Sequence, residues 1–335
     1  MVKNENLINA RGINKNMDIR TLVKSGKASF TVAIPKHWIE KNKLKKGDKL
    51  YIDEKSDHEL LISTHHQKAP TKAKEIVINV DNKKCHIICR ELITAYLNPH
   101  NLIILKGKDL PKYIECIKKE VAGLFALEVI DESSTKLVAD SFLDIKTVSV
   151  DKLIRRIDNI TRSMMLDTAK MATGEDNHEI ICNRDYDVNR IGFLILKILK
   201  AAFTDPSIKK TLNLSNLDIL GLWEMQIQIE KIADHTKRID RLVSFLKKKK
   251  NADLAELQKI LERTYQDYCN TMTLYYTKKL DCTIMVKRGD IIDMCDDYFA
   301  NHKNSDVSRI TAQILGMLSH IVDIHRLTRN LYVSE

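Results

Sequence analysis

The sequence predicts a multidomain α+β chain: a strand-rich module over residues 17–63, a small α/β layer over 75–145 and an all-helical region over 149–333. Three observations predict it. Short apolar runs of strand length dominate the beginning, and strand-length and helix-length patterns alternate through the middle. From about residue 149 apolar positions recur at the 3,4 spacing of a helix. Gly (10) and Pro (5) are scarce in 335 residues, which favours helices over a sandwich or a large barrel, and the length is more than one ordinary core needs.

The first 16 residues, MVKNENLINARGINKN, lack an apolar core segment and read as a loose tail rather than a secretory signal. Two β-rich runs then flank Ser25 and Gly26, the second alternating from Phe30 to Ile34 and stopping at Pro35, where a strand interior cannot continue. KHWIEKNKL carries Trp38, Ile39 and Leu44 and reads as one or two helical turns. Two further strands follow, with Leu50 and Ile52 able to meet Leu60 and Ile62 across a Lys55–Asp57 turn. About 47 residues of this kind bury little apolar surface alone, so dimerisation is expected to complete the core.

Residues 64–74 are polar, contain a Pro and read as a linker. Beyond them EIVINV is a strand, KKCHIICRELITAYL an amphipathic helix, and NLIILK a strand. PKYIECIKKEVA is a helix with Pro111 at its start, and LFALEVID and KLVADSFL are two more strands. No glycine-rich phosphate loop or dinucleotide fingerprint occurs.

The helical region carries three long seams. Val188, Ile191, Ile195, Ile198 and Ala202 form one. Leu222, Met225, Ile229, Ile232, Thr236, Ile239, Val243 and Leu246 form the second, and Ile310, Ile314, Met317, Ile321, Ile324, Thr328 and Leu331 the third. Breaks at Thr173–Gly174, Asp205–Pro206, Lys247–Asn251, near Asp281 and at His302–Ser305 predict six helices, read as two three-helix repeats. The most apolar stretch, 191–203, is interrupted by Lys197 and Lys200 and is too short to span a bilayer, so no membrane insertion is expected.

Charge is unevenly placed. Residues 1–50 hold 12 Lys/Arg against 4 Asp/Glu, whereas the remaining 285 hold 43 against 41, so a polyanion partner is expected at the beginning of the chain. The seven cysteines, Cys85, Cys89, Cys116, Cys182, Cys269, Cys282 and Cys295, contain no CxxC pair. They read as reduced thiols of a cytoplasmic protein. Cys85 and Cys89 can share a helix face, but no second pair completes four ligands, so no metal is expected there. The absence of a nucleophile elbow, an HExxH motif and a phosphate loop argues against an enzyme.

Two resemblances sharpen these expectations. RTLVKSGKASFTVAIPKHWIEKNKLKKGDKLYIDEK, with Ile34-Pro35-Lys36, the helix at Trp38 and Leu44-Lys45-Lys46-Gly47-Asp48, resembles a SpoVT-AbrB (swapped-hairpin) domain. The resemblance implies a barrel of hairpins interleaved between two chains, and DNA contacts at Arg20, Lys24, Lys27 and Lys36. Arg20 is the candidate for reading a base, because its planar fork suits guanine, while lysines mostly position a protein on phosphates.

IEKIADHTKRI (229–239), with NRDYDVNRIGFLILKIL before it, is similar to helices of the PhoU (phosphate uptake regulator) family. This resemblance implies a PhoU-like bundle over 149–333 and metal ions, divalent or of iron or zinc type, held by carboxylate pairs. It also implies control of phosphate uptake through DNA or through a transporter ATPase or sensor protein as partner. Glu230 and Asp234 match the family's pair, and Asp185 and Asp187 can add oxygens. In the second half Asp323 is present, but Ser319 stands where the other acid would be. Arg238 and Lys237 lie within ion-pair reach of Asp234, so ordinary helix pairs are the competing explanation. Asp293 and Asp297 form another i,i+4 pair open to both readings, and His235 reads as a partly packed histidine. The sequence thus points to a homodimeric, phosphate-responsive DNA-binding regulator, with a non-DNA-binding adaptor as the alternative.

Overall fold

The computed structural model describes residues 18–27, 29–56, 59–64, 75–98, 100–172, 174, 178–249, 253–278 and 288–332. The expected tail, the linker after Thr64, the turn at Asp57, the break near Asp281, Cys282 and parts of the breaks at Thr173 and Asn251 lie outside the described residues. The chain divides into two compact units, Met1–Thr71 and Lys72–Glu335.

In the first unit β1 (Val23–Ser25) and β2 (Ser29–Thr31) form one antiparallel hairpin, with Lys24 opposite Phe30. The helix α1 (Lys36–Lys41) follows Pro35, and β3 (Tyr51–Ser56) pairs with β4 (Glu59–Ser63), placing Ile52 opposite Ile62. The expected order of strand, strand, short helix, strand, strand is present. Gly26 and Gly47 have φ of 84° and 97°, conformations that side-chain-bearing residues rarely adopt, which explains glycine in both turns. The described residues form two separate two-stranded sheets and no closed barrel.

The second unit begins with a four-stranded sheet. Its strands are β5 (Glu75–Asn79), β6 (Leu102–Lys106), β7 (Leu127–Glu132) and β8 (Lys136–Ser141), in spatial order β5-β6-β8-β7. β5 and β6 are parallel and are joined through α2 (Cys85–Leu97), and α3 (Leu110–Ala122) leads into the antiparallel β7 and β8. Ile88, Leu92, Ile103, Leu105, Ile117 and Leu137 are fully buried in the shared core.

Six long helices follow: α4 (Val150–Met171), α5 (His178–Thr204), α7 (Asn216–Lys249), α8 (Leu254–Thr277), α9 (Arg288–His302) and α10 (Ser305–Tyr332). A seventh, α6 (Pro206–Thr211), was not expected from the apolar pattern. Asp205 caps it through the amide of Ser207, and Pro206 opens it. α4, α5 and α7 pack against one another, as do α8, α9 and α10, and the contacts of α7 with α10 and of α4 with α8 join the two groups. The seam residues from Val188 to Ala202, from Leu222 to Leu246 and from Ile310 to Thr328 are buried. On α7 burial extends beyond the seam to Gln226, Gln228, Ala233, Asp240 and Leu242, because this helix is packed by α4, α5 and α10. Asp158 of α4, itself buried, accepts hydrogen bonds from Arg162 Nε (2.9 Å) and the Tyr276 hydroxyl of α8 (3.0 Å), so the charge that enters this helix joint is neutralised there. No helix among the described residues is long and apolar enough to cross a membrane.

α5 also ties the bundle to the sheet layer. Lys197 Nζ lies 3.2 Å from the Ser141 hydroxyl and 4.1 Å from the centre of the Tyr96 ring, and Lys200 donates to the side chain of Asn98 (2.7 Å). Arg190 donates to the carbonyl of Gly123 (3.0 Å) and lies over the Phe125 ring. The two lysines that interrupt the apolar run are therefore the ones facing the sheet layer. Burial lowers the pKa of Lys197 to about 8.

The unfolded chain binds a proton at this lysine up to about pH 10.4, whereas the folded chain releases it near pH 8. Between these values the unfolded state holds more protons, so stability rises with pH; below them the buried charge costs on the order of 3 kcal/mol. Lys197→Met is expected to be more stable than the wild type at pH 7, with an advantage that shrinks as denaturant melts are repeated toward pH 10. A constant difference across that range would contradict this account.

Candidate functional site

The four expected DNA contacts lie in the first unit. Lys24 is on β1, Lys27 is in the turn that follows, Lys36 opens α1, and Arg20 precedes β1; all four are exposed. Arg20 pairs with Asp18 at 2.9 Å and Lys36 lies 3.6 Å from Glu40, both on the surface, where such pairs hold a side chain only weakly. No described residue of this unit is buried. Ile19, Leu22, Val23, Phe30, Val32, Ile52 and Leu60 are instead all exposed, from 47% at Val32 to 87% at Ile19. The cationic positions thus sit on a module with many of its apolar side chains in water.

In the bundle the structure brings together three of the five expected carboxylates. Asp185 of α5 is buried, and Glu230 and Asp234 of α7 are partly buried. The positive charge among them is the ammonium of Lys237, which pairs with Asp185 across the two helices and lies 3.2 Å from Asp234; Arg238 also reaches Asp234 at 3.2 Å. Gln226 Nε2 donates to Glu230 (2.7 Å). Desolvation pushes the Asp185 and Glu230 carboxyls up, and the Lys237 hydrogen bond at Asp185 and the Gln226 hydrogen bond at Glu230 act in the opposite direction. Asp187 pairs with Arg190 (3.5 Å) and Asp323 with Arg326 (3.2 Å). Asp293 and Asp297 are exposed on α9. His235 is partly buried and its Nδ1 lies 2.9 Å from Gln313 Oε1, with its pKa lowered chiefly by burial.

The group with metal-ligand spacing among the described residues lies elsewhere, in the α/β layer. Cys85 and Cys89 of α2 and Cys116 of α3 place their sulfurs within 4.8 Å of one another. This corrects two expectations. A third sulfur joins Cys85 and Cys89, because the packing of α2 on α3 brings Cys116 to them, and the Cys85 and Cys116 sulfurs are at disulfide distance. This group lies in the α/β layer and not in the bundle, where metal was expected.

The sequence reading also missed a cationic cleft of about 400 Å³ along α4, lined by Lys152, Arg155, Arg156, Asn159, Ser163 and Arg184. Its signal was present: positions 152, 155, 156, 159 and 163 share one helix face. Arg155 is stacked on Tyr276 at 4.0 Å and Arg184 is paired with Asp167.

Comparison with known proteins finds no matching family model, no matching curated protein and no matching solved structure.

Removing Lys237 leaves Asp185 buried without its cation. Lys237→Ala is expected to cost about 2–3 kcal/mol in urea unfolding at pH 7. The loss should shrink as the pH is lowered, because burial raises the Asp185 carboxyl and so favours its protonated form in the folded variant. A variant as stable as the wild type at pH 7 would show that the pair carries no such charge balance.

Proposed function

We propose that the chain is a DNA-binding regulator that works as a homodimer, its first unit pairing with a second copy to present a doubled cationic surface. The observation that carries this reading is the exposed apolar set around Phe30, Ile52 and Leu60, on the same small module as Arg20, Lys24, Lys27 and Lys36. Burying side chains of this type is worth roughly 1.5–3 kcal/mol each, so the set amounts to on the order of 10 kcal/mol per chain. Two chains together exceed the roughly 4–15 kcal/mol that association costs. A second copy brings an identical apolar set and places eight cations on one assembly. The likeness of 17–63 to swapped-hairpin domains supports the same arrangement, and the likeness of 229–239 to PhoU helices supports a phosphate-related signal received by the bundle. We propose a regulatory rather than an enzymatic role for both.

Neutralised phosphates release counterions, so affinity should fall steeply with salt. The full chain, titrated with duplex DNA in stepped salt, is expected to lose about 10³–10⁵ in affinity between 50 and 200 mM if six or more phosphates are contacted. Arg20→Ala combined with Lys24→Ala removes four cations from a dimer and should flatten the log–log slope by up to about 4. Undetectable binding by the wild type at 50 mM salt would sink this reading.

A second reading, an adaptor that uses the first unit only for pairing and docks on a transporter ATPase or sensor, is favoured by the cationic cleft on α4, which suits an acidic partner. Arg156→Glu separates the two: it should abolish capture of such a partner while leaving DNA binding intact.

A further inference from the structure

We propose that Cys85, Cys89 and Cys116 form a three-thiolate site for one soft or borderline cation of the zinc class, set between α2 and α3 and independent of the bundle's carboxylates. A disulfide needs only two sulfurs, and the third is the feature to be explained. Cys89 Sγ lies 3.8 Å from Cys85 Sγ and 3.5 Å from Cys116 Sγ. With Zn–S bonds of about 2.3 Å, two thiolates on a tetrahedral ion stand about 3.7–3.8 Å apart, so Cys89 already holds ligand spacing to both neighbours. The Cα atoms of Cys85 and Cys116 are 6.9 Å apart, just beyond the roughly 4.4–6.8 Å that disulfides usually span. Two sulfurs bridged by an ion tolerate that backbone separation better than two that are directly bonded.

The local structure supplies the rest of the chemistry. Cys85 is the first residue of α2, whose first turn receives no side-chain cap. Cys89, one turn further, points from the same face, and Cys116 arrives from α3, which packs on α2. The fold below is rigid: Ile88 and Ile117, next to Cys89 and Cys116, are fully buried. Glu120, one turn beyond Cys116 and partly buried, is close enough to act on the Cys89 thiol electrostatically. Water would fill a fourth position. Sulfur ligands select zinc-class ions over magnesium or calcium.

The test uses the full chain, reduced, stripped of metal and titrated with cobalt(II). The expected result is one equivalent bound, with thiolate-to-cobalt charge-transfer absorption and tetrahedral visible bands, both lost when zinc is added. Partners outside the coordination sphere are typically worth roughly 10–100-fold in metal affinity, so Cys89→Ser should lower it by at least that much. Cys182→Ser, on α5, should change nothing. A second measurement needs no variant: zinc should protect Cys85, Cys89 and Cys116 together from alkylation, read by mass spectrometry, and leave Cys182 and Cys269 unaffected. Absence of the charge-transfer band, a band that survives Cys89→Ser, or a Cys85–Cys116 disulfide that persists in reduced, zinc-replete protein would each overturn the proposal.

Discussion

The apolar surface of the first unit is the constraint on which the functional account depends. A chain that leaves Phe30, Ile52 and Leu60 in water has not completed a core there. The described residues show the reason: two short hairpins and six residues of helix enclose no interior, and none of their residues is buried. An isolated two-stranded hairpin is marginal in water, so these hairpins require a covering surface. A second copy is the economical solution, because it offers the same apolar set and doubles the charge. The polyanion binding proposed here would depend on pairing rather than on any single lysine, since each exposed ion pair such as Arg20 with Asp18 is weak enough to give way to phosphate.

The second unit makes the opposite use of its sequence. Its helices bury their stripes within the same chain, and the remaining polar groups in the interior are placed where two elements meet. Asp158 joins α4 to α8, Asp185 with Lys237 joins α5 to α7, and Lys197 and Lys200 join α5 to the sheet layer. A charge taken out of water is tolerated when a partner neutralises it or when it loses its proton. Asp158 and Asp185 take the first course and Lys197 moves toward the second. The carboxylate group of α5 and α7 therefore has a built-in cation in Lys237.

Much of the fold was legible in the sequence. The seams on α5, α7 and α10 could be read because a 3,4 repeat has only one means of burial, and the alternation of strands and helices over 75–145 could be read because each element has its own period. The pairing order β5-β6-β8-β7 was not legible, since period does not say which strand lies beside which. Short α6 was hidden because six residues carry no measurable periodicity. The sites divide in the same way. Glu230 and Asp234 could be placed on one face from their spacing, but the link from Lys237 to Asp185 spans 52 residues and depends on how two helices cross. Cys116 was missed for the same reason, being 27 residues from Cys89. The lysines at 197 and 200 looked like interruptions of an apolar run because their partners lie in another layer.

The most direct test of the account is the mass of the full chain in solution, measured by sedimentation equilibrium at micromolar concentration, for the wild type and for Phe30→Glu with Ile52→Glu. The account predicts a stable dimer for the wild type and a monomer with an intact helical signal for the doubly charged variant. A wild-type monomer, or a dimer indifferent to both substitutions, would contradict it.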